Sequence, residues 1–268
     1  MPRSPDSRGG AGRLPGNPPV RAGGPGGGSS GGGLCSSLSL RQPRGGYRVS
    51  IDSVLLADFA AARCGERVLD LGTGSGVILL LLARRCGGLR EGVGIEIQEE
   101  LWRTAVENIE ENGLSVRLSA RRGDFRETLP GLRAGSFDLV VANPPFRRLG
   151  EGRRNPDPRK EIARHEVACT FPDLFAAARR YLAPGGAFAM VSPSGRLPEI
   201  LALCAESGLA ADAVRFVHPF PDAPANRVLI AAVRRRGGEP AILPPLFVYA
   251  EPGRYHPETE RILSGRDR

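Results

Sequence analysis

Residues 67–76 read RVLDLGTGSG, and this stretch sets the architecture of the chain. The apolar run at 67–71 is typical of a short buried strand, and the turn after it has glycine at alternate positions. The next stretch, Val77–Arg85, has the length and the apolar composition of a buried helix. The sequence therefore predicts a strand, a tight glycine-rich turn and a helix, which together form the repeating unit of an α/β sheet.

Strand and helix patterns alternate along most of the chain, which favours a parallel sheet with helices on both faces. Helices are predicted at 50–59, 77–85, 99–112, 162–182 and 197–207, and strands at 67–71, 92–97, 116–121, 138–142, 187–192, 213–217 and 228–233. No helix pattern separates the last two strands, so we expect them to pair antiparallel. The predicted fold class is α/β, with a seven-stranded, mostly parallel sheet whose last strand is antiparallel.

The chain divides into three predicted segments. Residues 1–44 are dominated by Gly, Pro, Ser and Arg and cannot bury enough apolar surface to fold, so we expect a disordered tail. This tail is either a basic tether or the product of a misassigned start codon. Residues 45–236 form the main domain. Residues 237–268 form a C-terminal extension, with an extended stretch and a helix at 244–263, which packs on that domain.

The composition argues against several classes of protein. No apolar run approaches the roughly 20 residues of a membrane helix, and the N-terminus lacks a signal-peptide pattern. The net charge is +8, of which residues 1–48 carry +6. The cysteines show neither Cys-x-x-Cys spacing nor a nearby His, so we expect free thiols in a reducing cytosol and no metal: Cys35, Cys64, Cys86, Cys169 and Cys204. We expect a cytoplasmic monomer that does not contact a membrane.

The glycine-rich turn is expected to form a cofactor site, because open α/β sheets bind ligands beyond the carboxyl ends of their strands. The dinucleotide fingerprint would need glycine where Val77 stands, and no Gly-Lys-Ser/Thr follows for a phosphate loop. Asp70 places a carboxylate where a phosphate would approach, which suits a ligand that carries an ammonium and a sulfonium. Glu96, after the second predicted strand, can accept both hydroxyls of a ribose.

Together these acidic and glycine residues, on successive strand ends, predict bound S-adenosylmethionine; the alternative is a sheet of the same kind that has lost its ligand. Asp124 can accept from an adenine amino group while Phe125 or Ile97 covers the ring. The predicted cofactor-binding residues are Asp70, Gly72, Thr73, Gly74, Gly76, Glu96, Ile97, Asp124, Phe125 and Asn143.

The segment Asn143-Pro144-Pro145-Phe146 follows the predicted strand at 138–142. The proline after Asn143 favours extended backbone there, and neither proline has an N–H group. The Asn143 side-chain oxygen and the Pro144 carbonyl can bind the two protons of a planar amino group and turn its lone pair towards an electrophile. Phe146 offers a face on which a base can stack. The alternative is a plain strand-to-turn exit.

A basic loop at 147–161 follows, with six basic and three acidic residues. At the mouth of the pocket we expect it to hold RNA phosphates, with an ordinary solvated loop as the alternative. The predicted substrate-binding residues are Arg147, Arg148, Arg153, Arg154, Lys160, Arg164 and His165, and packing within the loop is a second interpretation of His165.

Three motifs, DLGTGSG at 70–76, GIEIQ at 94–98 and NPPF at 143–146, resemble those of the class I S-adenosylmethionine-dependent amino-methyltransferases. DSVLL at 52–56, ARHE at 163–166, PANRVL at 224–229 and PLFVY at 245–249 are similar to one branch, the valine-tRNA (adenine-N6)-methyltransferases. The resemblance spans about residues 45–265 and implies a Rossmann-like fold.

The resemblance also implies one methyl added to an adenine of a tRNA anticodon loop. Asn143, Pro144 and Phe146 would be the catalytic residues that hold and stack the target base. Phe146 departs from the family, which more often has Tyr at that place, so stacking is kept and a hydroxyl contact is lost.

Other interpretations stay open. An amide amino group also fits the Asn-Pro-Pro motif, so a protein glutamine N5-methyltransferase is one alternative, and an rRNA guanine-N2 methyltransferase is another. From a different class, the chain could be an RNA-binding module with a vestigial fold. The basic loop favours RNA, and residues 1–44 cannot form the extra helical domain of a glutamine methyltransferase. Intact Asp70 and Asn143 favour an enzyme.

Overall fold

The computed structural model describes residues 38–41, 50–144, 169–235 and 237–265. Its helices are α1 Ile51–Ala61, α2 Val77–Arg85, α3 Glu99–Glu111, α4 Phe171–Tyr181, α5 Leu197–Glu206 and α6 Pro257–Ser264. Its strands are β1 Arg67–Leu71, β2 Glu91–Glu96, β3 Leu118–Arg122, β4 Phe137–Ala142, β5 Leu182–Pro193, β6 Ala210–His218, β7 Arg227–Val233, β8 Ala241–Ile242, β9 Leu246–Phe247, β10 Tyr249–Glu251 and β11 Arg254–Tyr255.

Nine strands form one sheet in the order β3-β2-β1-β4-β5-β7-β6-β8, with β9 also beside β6. β7 runs antiparallel to both of its neighbours, β5 and β6, and the other pairs are parallel. The predicted α/β class and the antiparallel last strand are confirmed. The difference is that two short strands, β8 and β9, extend the predicted seven, because the C-terminal segment adds its backbone to β6.

Alternate residues of each central strand point to opposite faces of the sheet, as strand geometry requires. Leu139 and Val141 of β4 join the core under α1, α2 and α6, whereas Val140 and Ala142 join the core under α4 and α5. Both faces are therefore covered, which confirms the prediction of helices on both sides. Within the described ranges, no helix is both long and apolar enough to cross a membrane.

Helix α4 begins at Phe171, not at residue 162 as predicted. Thr170 caps it through a reciprocal pair of bonds: the Thr170 hydroxyl accepts from the Asp173 N–H, and the Asp173 carboxylate accepts from the Thr170 N–H. This capping box sets the start of the helix. Cys169 and Thr170 are therefore not helical, and residues 162–168 lie outside the described ranges.

Cys64 and Cys86 form a disulfide, with 6.2 Å between their Cα atoms, so the prediction that these two are free thiols is wrong. Cys64 follows α1 and Cys86 follows the end of α2, and these helices share one hydrophobic core. Packing brings the two cysteines together although 22 residues separate them. Cys169 and Cys204 are free, as predicted, and Cys35 lies outside the described residues. With two of its cysteines bonded to each other, the chain does not show the all-thiol pattern on which the expected reducing compartment depended.

Residues 38–41 pack against α3, which differs from the disorder predicted for them. Leu38 is buried, and the Arg41 N–H donates to Asn108 Oδ1 at 2.7 Å. Asn108 Nδ2 in turn donates to the carbonyls of Ser75 at 2.9 Å and Arg41 at 3.2 Å. Asn108 thus ties this short segment to the end of the glycine-rich turn. Residues 1–37 and 42–49 lie outside the described ranges, and the predicted division at 44 and 236 stays a proposal.

Replacing Asn108 with alanine is expected to lower the free energy of unfolding by about 2 kcal/mol, because the buried Ser75 carbonyl and the part-buried Arg41 N–H lose their partner. Asn112→Ala is the matched control, since Asn112 makes exposed bonds to Ser39 and its other bond, to the Asn108 backbone carbonyl at 2.7 Å, is only part-buried. We expect the control to cost less than about 1 kcal/mol. Urea unfolding of both variants measures the difference, and equal losses would contradict the role given to Asn108.

Candidate active site

The candidate site lies at the carboxyl edge of the sheet, where β1 has β2 on one side and β4 on the other. The strand order reverses there, and open α/β sheets bind their ligands at such a switch point. One cavity at this edge is lined by the turn after β1, the end of β2 and Asn143 after β4. The predicted site residues therefore meet in one place because the parallel strands deliver their ends to one edge.

The glycine-rich turn crosses the end of β2. The N–H groups of Gly72 and Thr73 both donate to the Ile95 carbonyl, at 2.9 and 3.0 Å. Gly72 and Gly74 have φ of 71° and 59°, which a side chain would disfavour, and a Cβ at either position would meet nothing within 4 Å. The turn thus leaves open space above its backbone, where a ligand can approach closely.

Glu96 holds this turn from the end of β2. Its Oε2 accepts from the Gly74 N–H at 2.9 Å, and its Oε1 accepts from the Gln98 N–H at 2.9 Å. Glu96 is 5% exposed, and burial raises the pKa of its carboxyl, although the backbone bonds counteract this. Glu96 lines the cavity, and a carboxylate oxygen that accepts one hydrogen bond can accept another.

Asp70 is fully buried behind the turn. Its Oδ2 accepts from the Thr73 hydroxyl at 2.7 Å, and its Oδ1 has no hydrogen-bond partner. Burial raises the pKa of Asp70 to about 7, nearby Glu96 adds to the rise, and the bond from Thr73 opposes it. A buried carboxylate oxygen without a partner calls for a cation or a donor.

Asn143 follows β4 at the other side of the cavity. Its Nδ2 donates to the Ser53 hydroxyl of α1 at 2.9 Å, and its Oδ1 is buried without a partner. The free oxygen can accept one hydrogen bond from an incoming donor. Pro144 is buried next to it but does not line the cavity.

Asp124 follows β3 and forms a two-oxygen ion pair with Arg126, whose guanidinium lowers the pKa of the Asp124 carboxyl. Asp124 and Phe125 line the cavity together with Ile97. An acceptor and two apolar side chains can hold a flat heterocycle with an amino group.

Most predicted cofactor residues meet at this cavity: Gly72, Thr73, Gly74, Glu96, Ile97, Asp124, Phe125 and Asn143. Asp70 and Gly76 stand behind it, in contact through the turn. Phe146 and the predicted RNA-binding residues at 147–160, with Arg164 and His165, lie outside the described residues.

Sequence reasoning did not single out several residues that line the cavity: Ser53, Gln98, Leu101, Arg126 and Cys169. Two of them had a signal: Gln98 directly follows the predicted strand at 92–97, and Ser53 lies in the DSVLL motif at 52–56. In the part of the chain that the structure describes, no three His, Cys, Asp or Glu side chains are grouped so that they could hold a metal.

The strand order and the glycine-rich cavity at the switch point define a methyltransferase, and residues 63–216 match the methyltransferase domain family. A Parabacteroides distasonis protein named tRNA1(Val) (adenine(37)-N6)-methyltransferase is 33% identical over 183 residues, which cover 68% of this chain and 75% of the relative. The chain therefore belongs to the family of the tRNA1(Val) (adenine(37)-N6)-methyltransferases, within the methyltransferase domain family.

Solved structures agree on the fold. A predicted O-methyltransferase from Agrobacterium tumefaciens has a TM-score of 0.62 at 23% identity. The match covers 80% of this chain and 96% of the Agrobacterium chain. The geranyl diphosphate C-methyltransferase from Streptomyces coelicolor, in complex with Mg2+, geranyl diphosphate and S-adenosyl-L-homocysteine, has a TM-score of 0.50 at 16% identity, covering 67% of this chain and 77% of its own. Methyltransferases of this fold thus include one solved with S-adenosyl-L-homocysteine.

Proposed function

We propose that this protein transfers a methyl group from S-adenosylmethionine to the N6 amino group of an adenine in RNA, namely the adenine at position 37 of a tRNA, beside the anticodon. One observation carries the proposal: Asn143 Oδ1 is buried without a partner at the end of β4, next to the cofactor-type cavity. An acceptor in that place fits an amino group. The names of the relatives supply the adenine and the tRNA.

The residues of the cavity, together with Asp70 behind it, fit S-adenosylmethionine. Glu96 would accept from its ribose hydroxyls and Asp124 from its adenine amino group. The Asp70 carboxylate, buried behind the turn with Oδ1 unpartnered, would balance the charge of its ammonium. Ile97 and Phe125 would cover the adenine ring of the cofactor. The open glycine turn would leave room for the part of the cofactor that joins its ammonium to its ribose. When bound, this cofactor supplies a methyl group on a positively charged sulfur.

Asn143 would act by orientation. An adenine amine is a poor nucleophile because its lone pair is delocalised into the ring. Asn143 Oδ1 and the Pro144 carbonyl would each accept one N–H, which draws the nitrogen towards tetrahedral geometry and aims its lone pair. The same acceptors would stabilise the positive charge that develops on the nitrogen, so catalysis rests on orientation and electrostatics. The proton becomes acidic afterwards and leaves to solvent, so no general base is required.

The target base must leave its stack to enter the cavity, and a base in a loop does so at little cost. Phe146 would stack on it, and the basic residues at 147–160, with Arg164 and His165, would hold the flanking phosphates. All of these lie outside the described residues. Their roles, the cytoplasmic location and the monomeric state remain predictions.

Incubation of the protein with unmodified tRNA and isotope-labelled S-adenosylmethionine tests the proposal. We expect labelled N6-methyladenosine in the nuclease digest, read by mass spectrometry. Label only in guanosine or only in protein glutamine would overturn the proposal in favour of another amino group. Absence of cofactor binding by calorimetry would instead favour an RNA-binding module without catalysis.

The affinity for S-adenosylmethionine is expected to fall as the pH drops below 7. Asp70 has a pKa of about 7 without ligand, and a bound ammonium requires its carboxylate, so binding releases a proton below that pH. We expect about thirtyfold weaker binding at pH 5.5 than at pH 8, since one proton changes the constant at most tenfold per pH unit. Calorimetry in buffers of different ionisation enthalpy measures both the affinity and the released proton.

Asp70→Asn is the control, because it removes the titrating group at almost the same volume. This variant should bind S-adenosylmethionine more weakly than wild type at pH 8, and its affinity should no longer fall as the pH drops below 7. Folding stability depends on pH in the opposite direction to cofactor affinity, because a carboxyl whose pKa is raised by folding stabilises the protein at low pH. The cofactor-free wild type should therefore lose stability as the pH rises from about 4 to about 7, and Asp70→Asn should not.

A further inference from the structure

We propose that Ser53 is a positioning residue, which fixes the side-chain amide of Asn143 so that Oδ1 faces the incoming amine. The inference rests on the proposed function, because it concerns how the target amino group is held. Ser53 lies in the first turn of α1, lines the cavity and has its hydroxyl oxygen 2.9 Å from Asn143 Nδ2. It is 9% exposed, so water competes little for this bond.

The orientation of Asn143 matters because the two ends of an amide have nearly the same shape and opposite hydrogen-bonding character. The adenine amine offers N–H donors, so only Oδ1 can bind it. With the amide turned over, Nδ2 would face the amine and two donors would meet. A residue that accepts a hydrogen bond from Nδ2 therefore selects the orientation in which Oδ1 is left for the amine.

Ser53 can make this selection because the proton of its hydroxyl has an acceptor other than Asn143. Ser50 caps α1 by accepting from the Ser53 N–H, and the two hydroxyl oxygens are 3.4 Å apart. When the Ser53 hydroxyl donates across this long contact, its lone pairs are free to accept from Asn143 Nδ2. The neighbouring residue, Asp52, forms an ion pair with Arg227 at 3.2 Å, which ties this turn of α1 to the start of β7.

The first test compares Ser53→Ala, Ser53→Thr and Ser50→Ala in the full chain, with tRNA and S-adenosylmethionine. For Ser53→Ala we expect kcat to fall about tenfold or more, with KM for tRNA and Kd for S-adenosyl-L-homocysteine within about threefold of wild type. Ser53→Thr keeps a hydroxyl and should restore kcat. Ser50→Ala removes the cap of α1 and the long contact to Ser53 but keeps the Ser53 hydroxyl, so it should lower the melting temperature and lower kcat by no more than about threefold.

The second test needs no turnover. In cofactor-free protein labelled with 15N-asparagine, the side-chain NH2 signals of Asn143 are assigned by their loss in Asn143→Ala. We expect Ser53→Ala to shift both signals, and to shift them clearly more than Ser50→Ala does. Unshifted signals in Ser53→Ala, Ser53→Thr as slow as Ser53→Ala, or a kcat loss in Ser50→Ala that equals that of Ser53→Ala would each overturn the inference. If wild type methylates no tRNA adenine, the proposed function fails, while the NMR result still decides the role of Ser53.

Discussion

Replacing Asn143 with alanine is expected to lower the rate of methyl transfer about a hundred- to a thousandfold, the usual loss when one preorganised hydrogen-bonding group is removed from a reacting centre. The physical reason is that Asn143 Oδ1 is the buried, unpartnered acceptor beside the cavity. Without it, the amine can bind through the Pro144 carbonyl alone, and its lone pair is no longer aimed. Single-turnover kinetics with tRNA measure this step directly.

Two further measurements separate orientation from other causes. The affinity for S-adenosyl-L-homocysteine should stay within about threefold of wild type, because the predicted cofactor contacts come mainly from the turn after β1 and from Glu96. Asn143→Asp keeps an acceptor in place, and the Ser53 hydroxyl can turn to donate to it, so this variant should lose less activity than alanine. Transfer by Asn143→Ala within about tenfold of wild type, which is ~1.4 kcal/mol of barrier, would remove Asn143 from the mechanism.

The parts of the fold that were predictable carry strong local signals. β1 and α2 have the bounds predicted from the sequence, because an apolar run, a glycine-rich turn and a second apolar run follow one another without ambiguity. The start of α4 was missed, although Thr170 and Asp173 have the spacing of a capping box. The predicted helix was instead extended back to residue 162, because the apolar pattern continues upstream of Thr170.

The site was predictable in part for a topological reason. Glu96 and Asn143 follow two different parallel strands, and parallel strands deliver their ends to one edge whatever the side chains between them. Ser53 could not be found this way, because it lies 90 residues before Asn143 and on a helix. Its sequence signals are a helix N-terminus and the DSVLL motif at 52–56, and neither one indicates a contact with Asn143. The Cys64–Cys86 disulfide was missed for the same reason, since helix packing alone brings the two residues together.

Replacing Glu96 with glutamine is expected to weaken the binding of S-adenosyl-L-homocysteine about 150-fold or more, because charged acceptors contribute about 1.5–3 kcal/mol for each bond they receive. Two such bonds are proposed, to the two ribose hydroxyls. The substitution keeps the length and the shape of the side chain, so the loss reports on charge and on hydrogen bonding. Calorimetry with S-adenosyl-L-homocysteine measures it without any need for RNA.

Glu96→Gln has a second effect, which the design of the experiment must separate. Both carboxylate oxygens accept backbone N–H groups, from Gly74 and Gln98, and an amide can accept at only one of these places. The turn after β1 should therefore loosen, and the melting temperature should fall even without ligand. Glu100→Gln is the matched control, because it removes the same charge from an exposed position outside the cavity. If Glu96→Gln bound the ligand within about threefold of that control, Glu96 would hold the turn and not the ribose.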